Sequence, residues 1–215
     1  MTANNRPSIE TAVRSLLSVN MGLKEGERLL VLGDTAGDGG KLALEVGDVA
    51  RNLHPHTETL IFKPVGGHGQ EPPRHVWEAA VGHQALSRLH NEGIFEPLLV
   101  KGASREKLGA ALKSLGEGTG SGVDVIVAIT HYSISHTSFR KLLTEARGIR
   151  FASMPLFERD MFFGPMNIDW ISMSGFTRTL GRSLKGADYC ELRSPLGTEL
   201  VLGVTERPFV IDTAF

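Results

Sequence analysis

The run Val125-Ile126-Val127-Ala128-Ile129, followed by Thr130-His131-Tyr132-Ser133-Ile134-Ser135-His136-Thr137, decides the fold. A strand with one wet face alternates apolar and polar residues; five apolar residues in succession suit a strand covered on both faces, as in a parallel sheet. Leu29-Leu30-Val31-Leu32, ending at Gly33, is a second run of this kind, and Thr59-Leu60-Ile61-Phe62, Leu98-Leu99-Val100 and Ile149 to Ala152 are shorter ones.

Helical spacing fills the intervals. Ile9, Ala12, Val13, Leu16 and Leu17 follow a Pro7-Ser8 start signal, and Leu42, Val46, Val49, Ala50 and Leu53 share one face. A helix starting near Pro73 carries Val76, Ala79 and Ala80 and runs on toward Leu89. Ser104 caps a helix with Leu108, Leu112 and Leu115, and Phe139, Leu142, Leu143 and Ala146 mark another. Alternating strands and helices predict an α/β fold of three layers, a mostly parallel sheet with flanking helices. Helical periodicity returns from Phe176 to Leu184, and Tyr189-Cys190-Glu191-Leu192 and Leu200-Val201-Leu202, around Ser194 to Thr198, predict a closing β-hairpin.

The chain has 215 residues, 41% of them hydrophobic, and is read as a single α/β domain over 1–215. At this size about 70% of the unfolded surface is buried, so a core forms without disulfide or metal staples. Lysine plus arginine is 23 and aspartate plus glutamate 24, a net charge of −1, which provides no broad basic field for nucleic acid or anionic lipid. The solitary Cys190 excludes an internal disulfide and a cysteine zinc cluster and fits a reducing compartment; it is expected to be a buried, inert thiol. Met1 to Pro7 is polar, with no secretory h-region, and no stretch approaches the about 20 apolar residues of a membrane span. A cytoplasmic protein with no membrane partner is expected.

Several stretches invite a chemical reading. Gly33-Asp34-Thr35-Ala36-Gly37-Asp38-Gly39-Gly40-Lys41 lies between a strand and a helix, where phosphate loops occur, but Thr35 and Leu42 depart from the P-loop and dinucleotide patterns. A tight turn with Asp38 near the helix N-cap is the better reading. His54-Pro55-His56 and the pair His131 and His136 lack carboxylates at metal-ligand spacing. His131, Ser133, Ser135, His136 and Thr137 are the candidate substrate-binding residues, because ligands collect at the carboxyl ends of central strands in open α/β sheets. The competing reading is that Ser135 or His136 caps the next helix. No G-x-S-x-G elbow is present in that loop, and no catalytic residue is assigned. The Met and Phe residues between 154 and 173 read as core or interface packing; if exposed, they mark a contact surface with another domain or subunit. Gly116 to Gly122 reads as a flexible connector within the domain.

Val19-Asn20-Met21-Gly22-Leu23-Lys24-Glu25-Gly26-Glu27-Arg28, with an apolar strand and Asp34-Thr35 behind it, resembles the opening of the aminopeptidase T type leucyl aminopeptidases. Glu71-Pro72-Pro73, Ser133-Ile134-Ser135-His136-Thr137, Gly148 to Pro155, and Leu196-Gly197-Thr198-Glu199-Leu200 resemble phrases of that family in the same order. The resemblance implies the N-terminal domain of a longer metallopeptidase, whose C-terminal domain holds a pair of divalent metals (zinc, cobalt or manganese) and hydrolyses N-terminal peptide bonds with a metal-activated water. None of that family's metal ligands falls on a residue of this chain, and no metal is expected to be bound by it. The resemblance implies a peptide substrate for the whole protein, a homo-oligomer, and a shaping of the substrate cleft or the dimer contact by this domain. It extends to ferrous dihydroxypyridine ring-cleaving dioxygenases, and a non-enzymatic small-molecule-binding or dimerising module is the third reading. The stop after a strand-like Phe209-Val210-Ile211 reads as truncation.

Overall fold

The computed structural model describes residues 8–117 and 122–213. Met1 to Pro7 and the centre of the glycine connector lie outside the described residues. The chain divides into two compact units, a larger one ending at Asn167 and a smaller one beginning at Ile168.

The larger unit is α/β. Its sheet holds β1 (Leu29–Asp34), β2 (Thr57–Phe62), β3 (Val125–Ile129) and β4 (Arg150–Ser153), all parallel, in the order β2-β1-β3-β4. Around it lie α1 (Ile9–Ser15, continued by a π turn to Asn20), α2 (Gly39–Leu53), α3 (Arg74–Val81), α4 (His83–Asn91), α5 (Phe95–Leu99), α6 (Arg105–Gly116) and α7 (Ser138–Arg147). Every residue of β1 and β3 is buried. Their side chains divide by parity, as the pleat requires. Leu30, Leu32, Ile126 and Ala128 join a core with α3 to α7, whereas Leu29, Val31, Val125, Val127 and Ile129 join a second core with α1 and α2. The three layers follow from handedness. From β1 the chain moves one way to β2 and then back past β1 to β3 and β4, so right-handed crossovers put α2 on one face and α3 to α7 on the other.

One predicted strand is a helix. Leu98-Leu99-Val100 lies in and just after α5, with Pro97 in its first turn, Phe95 and Leu98 buried and Val100 77% exposed. A three-residue apolar run cannot distinguish strand from helix, and here Phe95 and Leu98, three residues apart, enter the core as one helical face. The helix starting at Pro73 is also shorter than its spacing suggests: it breaks at Gly82, whose φ of 84° ends α3 and opens α4. Ser8 and Ser104 do cap α1 and α6, accepting from Thr11 N and Lys107 N.

Beyond β4 the chain returns to the α1/α2 face. Phe162 and Met166 are buried there, Phe157 packs edge to face on Phe162 at 4.8 Å, and Met154 is partly buried in the same core.

The smaller unit contains α8 (Trp170–Ser183) and the antiparallel pair β5 (Tyr189–Arg193) and β6 (Glu199–Gly203), the predicted hairpin. Asp169 caps α8 through Ile171 N and Ser172 N, and these bonds with the Ser172 hydroxyl hold its carboxyl below the usual carboxylate range. Cys190 is half-buried, not buried as expected, because a lone hairpin has no second layer to cover it. Phe209-Val210-Ile211 is not strand but irregular chain, having no strand partner in the hairpin.

Candidate functional site

The order β2-β1-β3-β4 places a topological switch point between β1 and β3, where connections leave in opposite directions and a crevice opens beyond the carboxyl ends of the strands. A cleft of about 380 Å³ lies there, walled by Ala36 to Gly39 after β1, Ile129 to His131 at the end of β3, and Leu156 to Asp160 after β4.

Asp34, the last residue of β1, organises this end of the sheet. It is buried, and its carboxylate accepts from Ala36 N at 3.0 Å and from His131 N at 2.7 Å, tying the loop after β1 to the loop after β3. The sequence signal for it was a carboxylate directly after an apolar run, in a place where an unpaired charge would be expelled. The third wall is anchored by a two-pronged ion pair: Arg159 donates to both oxygens of Glu45 on α2, at 2.5 and 2.9 Å. Leu156, in the same wall, has a φ of 53°, the left-handed region that a leucine seldom occupies, while its N–H is held by the Thr130 carbonyl at 3.0 Å.

The glycines after β1 have a packing role. A Cβ on Gly33 would collide with Ala43, and one on Gly40 would lie 2.7 Å from the Asp34 carbonyl, so both let α2 sit close on β1. Asp38 occupies the N-cap position of α2 without a side-chain cap bond; its carboxylate is paired with Lys41 at 3.1 Å.

The candidate residues after β3 divide between two surroundings. His131 is half-buried, lines the cleft and meets the Tyr132 ring edge to face at 4.7 Å. Ser133 belongs to the other side, where its carbonyl accepts from Gly69 N at 2.7 Å and its N–H donates to His68 Nδ1 at 3.1 Å. The Ser135 N–H donates to the Ser133 hydroxyl at 3.3 Å. His136 is exposed, with its carbonyl accepting from Lys101 Nζ at 3.2 Å. Thr137, not Ser135 or His136, is the N-cap of α7: it accepts from Arg140 N at 3.1 Å and donates to the Ile134 carbonyl at 2.6 Å.

Glu71, quoted in the sequence only as part of a resemblance, had no role assigned to it there. Its carboxylate reaches across to the first turn of α7 and accepts from Ser138 N and Phe139 N at 2.5 and 3.0 Å. Burial raises its pKa, against the lowering effect of those two bonds and of Lys101.

Among the described residues no three His, Cys, Asp or Glu side chains are grouped to hold a metal ion. Among them, too, no helix is long and apolar enough to cross a membrane. In comparisons with known proteins no family matches the chain, and neither does any curated protein or any solved structure.

Proposed function

We propose that this chain is the scaffold and substrate-cleft domain of a metal-dependent leucyl aminopeptidase of the aminopeptidase T type, cytoplasmic and homo-oligomeric, and that residues outside this chain carry the hydrolytic metals. The observation that carries the reading is the cleft itself, which opens at the switch point between β1 and β3, where two stretches that resemble that family, Asp34-Thr35 and Ser133 to Thr137, lie at or after the ends of their strands. Of the other such stretches, Glu71-Pro72-Pro73 and the end of Gly148 to Pro155 lie at the same end of the sheet, Val19 to Arg28 and Gly148 to Arg150 at the amino ends of β1 and β4, and Leu196 to Leu200 in the hairpin.

In this reading the cleft receives the substrate's amino end. Glu158 and Asp160 bring carboxylates to its wall, Asp38 brings a third already paired with Lys41, and the Arg159 guanidinium is engaged by Glu45. Such a field favours a cation such as a peptide's terminal ammonium. His131 and Leu156 add a flat ring and an apolar side chain to the walls. No chemical step is assigned to these residues.

The test is to titrate leucylglycine into the isotopically labelled chain and to assay leucine para-nitroanilide with added zinc, cobalt or manganese. The expected result is perturbation of the Gly37, Gly39 and His131 amide signals, weakened several-fold in an E158Q/D160N variant, with no turnover. Unperturbed signals would overturn the cleft assignment. Stoichiometric metal with turnover would overturn the placement of the chemistry outside this chain. Perturbation by a dihydroxypyridine in place of the peptide would move the parent to the dioxygenase class.

A further inference from the structure

The segment 63–73 leaves β2 and meets the β3–α7 loop at two places of different chemistry. At its tip, Gly69 N donates to the Ser133 carbonyl and Ser133 N donates to His68 Nδ1. Gly69 needs its left-handed φ of 76° for this approach, and a Cβ there would lie 3.4 Å from the His136 carbonyl. At its base, Glu71 holds the first turn of α7 and Pro72 is buried.

A backbone N–H can only donate, so His68 Nδ1 must be a bare acceptor and the neutral ring carries its proton on Nε2. A protonated ring has N–H on both nitrogens and sets a donor against the Ser133 donor. The second proton goes to Nδ1, the nitrogen engaged by Ser133, so it is taken up as that bond opens, and the exposed ring then meets solvent.

We propose that the tip of this segment, 66–70, is a pH-sensitive flap that closes on the β3–α7 loop while His68 is neutral and lifts when His68 is protonated, hinging on the fixed Glu71-Pro72 base. The flap stands independently of the proposed activity.

The titratable and charged groups around the tip come from three elements. Glu71 and Lys63 belong to the segment itself. The β3–α7 loop brings Tyr132, whose ring meets His68 edge to face at 5.2 Å, with His131 behind it and His136 exposed beside it. Lys101, between α5 and α6, donates to the His136 carbonyl. Glu71 opposes His68 in sign. Burial raises its pKa above the ordinary value, so the folded chain binds that proton more tightly than the unfolded one does. The stability linked to Glu71 is therefore full at low pH and declines as pH rises through the raised value. Acid loosens the tip and leaves the base in place.

Hydrogen exchange on the whole chain reads the two ends separately. Between about pH 7.5 and about pH 5 the protection factor of the Ser133 amide is expected to fall about five- to tenfold while those of Ser138 and Phe139 hold. His68→Asn offers an amide oxygen near the place of Nδ1 and does not titrate, so it is expected to keep Ser133 protected at both pH values. Unchanged Ser133 protection in the unmodified chain would overturn the flap, as would an equal fall in the H68N chain. Parallel loss at Ser138 and Phe139 would overturn the hinge.

Discussion

β3 and β6 are both five residues long and both mainly apolar, yet every residue of Val125–Ile129 is buried and every residue of Glu199–Gly203 is exposed. β3 has a paired strand on each side and helices over both faces, whereas β6 has β5 along one edge and no further strand. Burial belongs to the layers around a strand, not to its composition. The same contrast holds for helices. Phe139, Leu142 and Leu143 of α7 are buried, while Met173, Phe176 and Leu180 of α8 are exposed, Phe176 by 66%.

The contrast can be broken by substitution. Ile126→Ala, in the middle of β3, removes a fully buried side chain between covered faces and is expected to cost about 4 kcal/mol in urea unfolding. A cost below about 1 kcal/mol would show that the sheet is less well covered than its burial indicates. Gly33→Ala presses a methyl group into Ala43 and Ile61 where α2 lies on β1, and is expected to cost about 2 kcal/mol by the same measurement. Thr137→Ala removes the α7 cap and is expected to cost about 1 kcal/mol, since capping is local and independent of depth. Smallest is Val201→Thr on β6, at a position 62% exposed, where the unfolding free energy should change by less than about 0.5 kcal/mol. A large loss there would mean that the hairpin is covered in solution by something that protects Val201.

Legibility varied with how much of each signal was local. The runs Leu29 to Leu32 and Val125 to Ile129 named their strands because burial on both faces leaves no polar position. The hairpin was legible through Gly197, whose φ of 93° sits in the turn where Ser194 and Thr198 bond to each other. Leu98 to Val100 misled because three residues are less than one helical turn. Of the residues proposed for the loop after β3, His131 lies at the cleft, while the hydroxyl of Thr137 is engaged in capping. Asp34, Glu71 and Arg159 went unassigned because their partners are 97, 67 and 114 positions away in sequence.

By itself, then, the sequence determined the long helices and the buried strands β1 and β3, since periodicity and β-branching act within a few residues, but not the short run Leu98 to Val100. It also excluded an internal disulfide, through a single cysteine. Only the tertiary structure decided that β1 and β3 lie side by side with a cleft at their ends, that Asp34 joins two loops and that His68 latches onto Ser133. These depend on strand order, and strand order is set by crossover handedness and by the packing of whole layers, to which no single stretch of sequence has access.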